Sequence, residues 1–131
     1  MKRPYVDHLG IIVDNLDQAI ELFERMFDLK PSKIKEMADV GLRIARLKAE
    51  NIDIELIQYT SEENFGKRVM GPEKGVNHIS INVEDMDAVL RDLEEKGIKT
   101  KEGFPRAGSH GLVAFFEPDT TEGILLEVCE G

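Results

Sequence analysis

Apolar and polar side chains alternate along residues 5–13 in the pattern of a β-strand with one apolar face. Apolar residues then recur at helical spacing over residues 17–27, and Asp17 is predicted to cap this helix. Three further strands are predicted over residues 32–37, 41–48 and 52–59. The first part of the chain is therefore expected to run strand, helix, strand, strand, strand.

The second half of the chain repeats this order. When the two openings are superimposed, His78 takes the place of His8 and Asp87 takes the place of Asp17. A helix beginning at Asp87 is expected to end before Gly97, which stands where a left-handed helix stop belongs. The predicted elements are a helix over 87–96 and strands near 98–101, at 112–117 and at 123–129.

Two tandem modules of this kind define an α+β fold. Module one is assigned to residues 1–60, a linker with one helical turn to 61–75, and module two to 76–131. At 131 residues the chain has the length of one compact domain. We therefore expect residues 1–131 to form a single domain that contains both modules.

Charge and composition narrow the choice of partners. The formal net charge is −9, with 26 acidic and 17 basic residues, so a nucleic-acid partner is not expected. No apolar run approaches the roughly 18 residues of a membrane span, and no apolar signal region follows Met1. Cys129 is the only cysteine, which rules out an internal disulfide. We expect a cytoplasmic protein that binds neither nucleic acid nor membrane.

Two histidines and two glutamates occupy matching places in the repeat. His8 and His78 lie in the opening strands, and Glu55 and Glu127 lie in the closing strands between apolar neighbours. A single strand histidine is more often a hydrogen-bonded core residue, and a single strand glutamate is more often solvated. Four such residues in register instead indicate a site for one divalent ion, because imidazole and carboxylate suit zinc, nickel, cobalt and manganese.

Four sequence segments carry a resemblance to a known family: "DHLGIIV", "NHISINVED", "PRAGSHG" and "GILLEV". The chain resembles the vicinal oxygen chelate, or glyoxalase, superfamily, and within it the methylmalonyl-CoA epimerases. The resemblance implies two βαβββ modules in a U-shaped mixed sheet around a metal site, and a homodimer. It also implies that His8, Glu55, His78 and Glu127 are the metal ligands.

The resemblance further implies an isomerase that removes the α-proton of a 2-substituted acyl-CoA thioester and returns it to the opposite face. Glu127 and Glu55 are the expected acid/base residues. Some epimerases carry an extra acid in the third strand of module one, where this chain has Ile44. A lactoylglutathione lyase (glyoxalase I) and a non-catalytic binding protein of the same fold are the alternatives, and Glu55 as a fourth ligand argues against an extradiol dioxygenase.

The segment 105–111 is a candidate for substrate binding. Ser109 and His110 supply hydrogen-bonding groups, and Gly111 permits close approach of the backbone. Arg106 and Arg46 are among the basic residues that could receive an acyl or nucleotide phosphate group. The competing interpretations are a flexible surface turn for the segment and solvated charges for the arginines.

Overall fold

The repeat predicted from the sequence is present as the same order of elements in both halves of the chain. The computed structural model describes residues 3–131, which divide into a first unit of residues 8–77 and a second unit of residues 78–131 with 3–7. The elements are β1 (Val6–Ile12), α1 (Leu16–Phe27), β2 (Pro31–Met37), β3 (Leu42–Lys48), β4 (Asp53–Tyr59), α2 (Phe65–Met70), β5 (Gly75–Val83), α3 (Met86–Glu95), β6 (Arg106–Gly108), β7 (Gly111–Phe115) and β8 (Leu126–Glu130). Each unit thus contributes one βαβββ module, and the predicted α+β class is confirmed.

The strands of the first unit are ordered β2-β3-β4-β1. β1 and β4 run parallel, whereas β2, β3 and β4 form antiparallel neighbours. The amphipathic face of α1 packs on one side of these strands, as its helical spacing of apolar residues requires. The centre of this core consists of the fully buried side chains of Leu16, Ala45, Leu47 and Leu56.

The strands of the second unit follow the equivalent order, β5-β8-β7-β6. β5 and β8 run parallel, and β7 pairs antiparallel with both β8 and β6. Here α3 covers one face of the strands. The centre of this core is formed by Met86, Ala114, Phe116 and Val128.

Both long helices begin earlier than the sequence indicated. The capping residue of α1 is Asn15, whose side-chain oxygen accepts the backbone N–H of Gln18 at 2.9 Å. Asp85 has the same role in α3, accepting from Ala88 at 3.1 Å. The predicted cap Asp17 lies instead in the first turn of α1. A capping residue needs extended backbone to turn its side chain onto the first N–H groups, and Asn15 has it, with φ −133°.

The strand predicted near residues 98–101 is reduced to a single bridge between Thr100 and Phe116. The chain leaves this bridge at Gly103, which has φ 91°, and reaches Pro105. Proline has no N–H to donate to a neighbouring strand, so pairing resumes only at β6. The second strand of this module is therefore Arg106–Gly108.

The segment that links the modules contains more structure than the single helical turn predicted. The helix α2 begins after Asn64, whose side-chain oxygen accepts the backbone N–H of Lys67 at 2.8 Å. Among residues 3–131, no helix has the length and apolar character needed to cross a membrane.

Candidate functional site

His8 and Glu55 form a buried pair in the first unit. His8 lies on β1 and is 2% exposed, and Glu55 lies on the parallel strand β4 and is 4% exposed. The residue opposite Glu55 in the register is Gly10, which has no side chain and lies on the same face of β1 as His8. This leaves space for the two functional side chains, and His8 Nε2 lies 3.6 Å from Glu55 Oε1.

His78 and Glu127 form the equivalent buried pair in the second unit. His78 lies on β5, Glu127 lies on the parallel strand β8, and the residue opposite Glu127 is the small Ser80. His78 Nε2 lies 3.8 Å from Glu127 Oε1. The edge of one ring meets the face of the other between His78 and Phe115, with centroids 5.0 Å apart, which fixes the imidazole plane.

Both pairs fit ligation of a divalent ion. Their N-to-O distances of 3.6 and 3.8 Å exceed the roughly 3.2 Å limit of an ordinary N–H···O hydrogen bond. Two ligands about 2.1 Å from one ion lie about 3.0–3.4 Å apart, so each pair is within about 0.8 Å of that span. Three of these residues, His8, His78 and Glu127, are buried and each can offer one ligand atom. The residues present therefore suit a cation that accepts nitrogen and oxygen ligands.

Arg46 binds the Glu55 carboxylate, a contact that the sequence analysis did not predict. It lies on β3 directly opposite Glu55. Its Nη1 donates to Glu55 Oε2 at 2.6 Å, and its Nε donates to Asp53 Oδ2 at 2.6 Å. The arginine side chain is only 13% exposed. It is therefore neither a solvated charge nor an open phosphate receptor, and it supplies the neutralising charge that a buried Glu55 requires.

Ile44 occupies a core position on β3, 7% exposed. Its neighbour in the register of β4 is Ile57, which is also buried. An acid at this place would face an apolar side chain. The third strand of module one thus contributes no carboxylate at residue 44 to proton transfer.

The segment 105–111 is a β-hairpin rather than a flexible turn. β6 and β7 are joined by the two residues Ser109 and His110, and Gly108 pairs with Gly111. Gly111 has φ 118°, and a Cβ there would lie 2.2 Å from the Glu130 carbonyl oxygen. A side chain at residue 111 is therefore excluded both by strain and by space.

The side chains at the tip of this hairpin are linked to one another. The Ser109 hydroxyl and His110 Nδ1 are 3.1 Å apart, and His110 Nε2 lies 3.4 Å from Asp7 Oδ2. His110 is 31% exposed at its side chain, so it remains accessible to a ligand. Arg106 is half-buried on β6, opposite Val113.

The lone cysteine has no place in nucleophilic chemistry. Cys129 is 2% exposed on β8, and burial raises the pKa of its thiol to about 12. A thiol held in this form is a poor nucleophile near neutral pH.

The fold and the repeated histidine–glutamate pairs define a class of protein, and sequence comparison names it. The model of the glyoxalase/bleomycin resistance protein/dioxygenase superfamily matches residues 7–116, and the chain belongs to that superfamily. This confirms the resemblance drawn from the four sequence segments.

The individual relatives are mostly epimerases. The chain is 27% identical to the mitochondrial methylmalonyl-CoA epimerase of Dictyostelium discoideum, over 95% of this chain and 77% of the relative. It is 28% identical to the ethylmalonyl-CoA/methylmalonyl-CoA epimerase of Cereibacter sphaeroides, over 94% and 95%. A methylmalonyl-CoA epimerase solved in complex with methylmalonyl-CoA and NH4+ matches with a TM-score of 0.88 at 26% identity, covering 99% of this chain and 96% of the other.

Proposed function

We propose that this protein is a metal-dependent epimerase that interconverts the stereoisomers of methylmalonyl-CoA or a related 2-substituted acyl-CoA. The observation that carries the proposal is the pair of buried histidine–glutamate couples at equivalent places of the two modules. Similarity to named epimerases over nearly the whole chain supports the choice of substrate class.

The proposed ligands are His8, Glu55, His78 and Glu127, which together would hold one cobalt, nickel, manganese or zinc ion. We treat the two modules as one catalytic domain in which each contributes one imidazole and one carboxylate. A divalent ion bound there would supply Lewis acidity, which withdraws electron density from a thioester carbonyl as negative charge develops.

Glu127 is the proposed main base. It is buried on β8, and its neighbours in the register are Phe115 and Ser80, both uncharged. Within the proposed site Glu127 would shift between metal ligand and general base, taking the α-proton of a substrate bound beside it. Glu55 is the proposed second acid/base group, and its pairing with Arg46 distinguishes its environment from that of Glu127.

The hairpin tip is proposed to bind the substrate's carboxylate or thioester. Ser109 and His110 offer hydrogen-bonding groups, and Arg106 offers a positive charge. Gly111 would hold the shape of the turn, since its Cα packs against the Glu130 carbonyl oxygen. A two-residue turn between paired strands suits this role, because a short turn has fewer conformations to restrict on binding than a long loop.

A lactoylglutathione lyase is the second candidate, and one observation favours it. Ile44 and its buried neighbours leave no acid at the position in β3 where some epimerases carry one. Proton transfer between adjacent carbons of a hemithioacetal needs only the four proposed ligands.

Hydrogen exchange at the α-carbon tests the proposal. The protein loaded with Co²⁺, Ni²⁺, Mn²⁺ or Zn²⁺ in turn is incubated with methylmalonyl-CoA in deuterated water, and loss of the α-proton signal is followed by NMR. Rapid metal-dependent exchange is the expected result. Turnover of the hemithioacetal of methylglyoxal and glutathione, with no exchange on methylmalonyl-CoA, would reverse the order of the two candidates.

Two further properties belong to this proposal. We propose a homodimer, which sedimentation velocity would detect as twice the 14.8 kDa chain mass. We also propose a cytoplasmic location, which a single reduced cysteine suits.

A third candidate is a non-catalytic binding protein of the same fold. A metal-free protein that keeps its fold and binds an aromatic ligand would support it over both enzymes.

A further inference from the structure

The ion pairs of Arg46 link two carboxylates of one strand. Asp53 and Glu55 are two residues apart on β4, so their side chains lie on the same face. Arg46 on β3 binds both, with each N-to-O distance 2.6 Å. The Asp53 side chain is 21% exposed and that of Glu55 is 5% exposed. The arginine is thus anchored by the more exposed carboxylate, Asp53, and holds the buried carboxylate, Glu55.

This arrangement defines how Glu55 presents its oxygens. Oε2 accepts the short, charge-assisted hydrogen bond from Arg46, while Oε1 is the oxygen that lies 3.6 Å from His8 Nε2. Rotation of the carboxylate about its last bond would break the 2.6 Å contact. Arg46 therefore holds the carboxylate in a plane that turns one oxygen to the guanidinium and the other to His8.

The second glutamate has a different setting. The cross-strand neighbour of Glu55 on β3 is Arg46, whereas the cross-strand neighbour of Glu127 on β7 is Phe115. The duplicated modules therefore differ in the charge of the residue that faces each glutamate across the strands.

We propose that Arg46 is a positioning residue that holds Glu55 as a fixed ligand through the carboxylate oxygen that faces His8, with Asp53 as the anchor of the arginine. This inference rests on the proposed metal site. Groups behind a ligand commonly set its orientation and its affinity for the ion. The asymmetry distinguishes the two glutamates: Glu55 is held in one orientation by Arg46, whereas the cross-strand neighbour of Glu127, the proposed main base, is the uncharged Phe115.

Binding of Co²⁺ to the purified protein tests this assignment without reference to turnover. R46M removes the guanidinium and keeps an apolar stem of similar length. It is expected to weaken Co²⁺ binding by about 10–100-fold in calorimetry and to shift the visible absorption bands of the bound ion. R46K keeps the charge but not the fork, and its affinity should lie between those of R46M and the unmodified protein. D53N should act in the same direction through the anchor.

R43M is the matched control. Arg43 lies on the same strand, and its ion pairs are with Glu36 at 3.3 Å and Asp17 at 3.7 Å. Its Co²⁺ affinity and spectrum should remain those of the unmodified protein. Thermal unfolding of each metal-free variant identifies any that lose their fold, in which case R46K and D53N decide the question.

A double variant gives the sharpest readout. A glutamine at residue 55 needs no opposite charge, and without Arg46 its carbonyl oxygen is left for the ion. R46M/E55Q is therefore expected to bind Co²⁺ more tightly than either single variant. Two results would overturn the role of Arg46. One is a double variant whose loss of Co²⁺ affinity equals the sum of the losses in the two single variants. The other is a folded R46M that binds Co²⁺ with unchanged affinity and spectrum. Failure of the unmodified protein to bind Co²⁺ would instead refute the proposed metal site itself.

Discussion

His78 Nε2 lies 3.8 Å from Glu127 Oε1, farther apart than a hydrogen bond allows, although both side chains are almost completely buried. Two polar groups in contact with one another and shielded from water normally shorten to hydrogen-bonding distance. Their separation matches instead the span across a shared cation, to within about 0.8 Å.

Glu127→Gln is expected to lower kcat for α-proton exchange by about 10²–10⁴-fold, the usual contribution of a general base. His78→Ala is expected to abolish turnover through loss of the ion. Deuterium incorporation measured by NMR follows both, and circular dichroism checks the fold. The control is Glu95→Gln on the exposed side of α3. Retained activity in either Glu127→Gln or His78→Ala would refute the proposed site.

Glu55→Ala tests the fourth ligand. Loss of a group behind a ligand costs about 10–100-fold in metal affinity, so loss of the ligand itself is expected to cost about 100-fold or more. Calorimetric titration with Co²⁺ measures the change. Near-full affinity and activity in this variant would point to a site of two histidines and one glutamate, as in the extradiol dioxygenases.

Cys129 is expected to resist alkylation in the folded protein near neutral pH, because burial raises the pKa of its thiol from 9.0 to about 12. The raised pKa means that folding favours the neutral thiol. The stability contributed by this neutral thiol is complete below the unfolded pKa of 9.0 and is lost as the pH rises through about 12. Labelling with iodoacetamide, read by mass spectrometry, should be rapid only after denaturation. Fast labelling of native protein would contradict the buried position.

Tyr59 is expected to ionise unusually late. Its hydroxyl donates to the Gly71 carbonyl oxygen at 2.6 Å, and burial raises its pKa from 10.0 to about 12. The associated stability is present below pH 10 and declines as the pH rises through about 12. In an alkaline titration followed by ultraviolet absorbance, the ionisation step that is present in the unmodified protein and missing in Tyr59→Phe should therefore occur near pH 12. Tyr59→Phe should also lower the free energy of unfolding by about 1 kcal/mol. Tyr5→Phe, at a 61% exposed position, is the control, and an equal loss there would count against the hydrogen bond.

Asn15→Ala is expected to lower the free energy of unfolding by about 1 kcal/mol, because the side chain caps the first N–H groups of α1. Asp17→Ala should cost less, since its carboxylate adds only a favourable charge in the first turn and a 3.7 Å ion pair with Arg43. Urea denaturation compares the two variants. A larger decrease in the free energy of unfolding for Asp17→Ala than for Asn15→Ala would support Asp17 as the capping residue, as the sequence predicted.

The helix caps show where the sequence alone reaches its limit. Asn15 and Asp17 are both good capping residues, and only the backbone angle at residue 15 decides between them. The prediction for the second strand of module two is wrong for a similar reason. Residues 98–101 do alternate, but only Thr100 forms a bridge, and continuous pairing begins after Pro105 at Arg106–Gly108. Local pattern gives the kind of element more reliably than its ends.

The sequence by itself determined the repeat, the α+β class and the identity of the two histidine–glutamate pairs. Strand alternation and the spacing of the modules are local patterns that can be recognised along the chain. The tertiary structure decided that Glu55 is bound by Arg46 and that Glu127 faces Phe115. That difference depends on the register between β3 and β4 and between β7 and β8. The alternation of apolar and polar residues fixes the face on which each side chain lies. Which residue faces it across the strands also depends on turn geometry, which forms only when the chain folds.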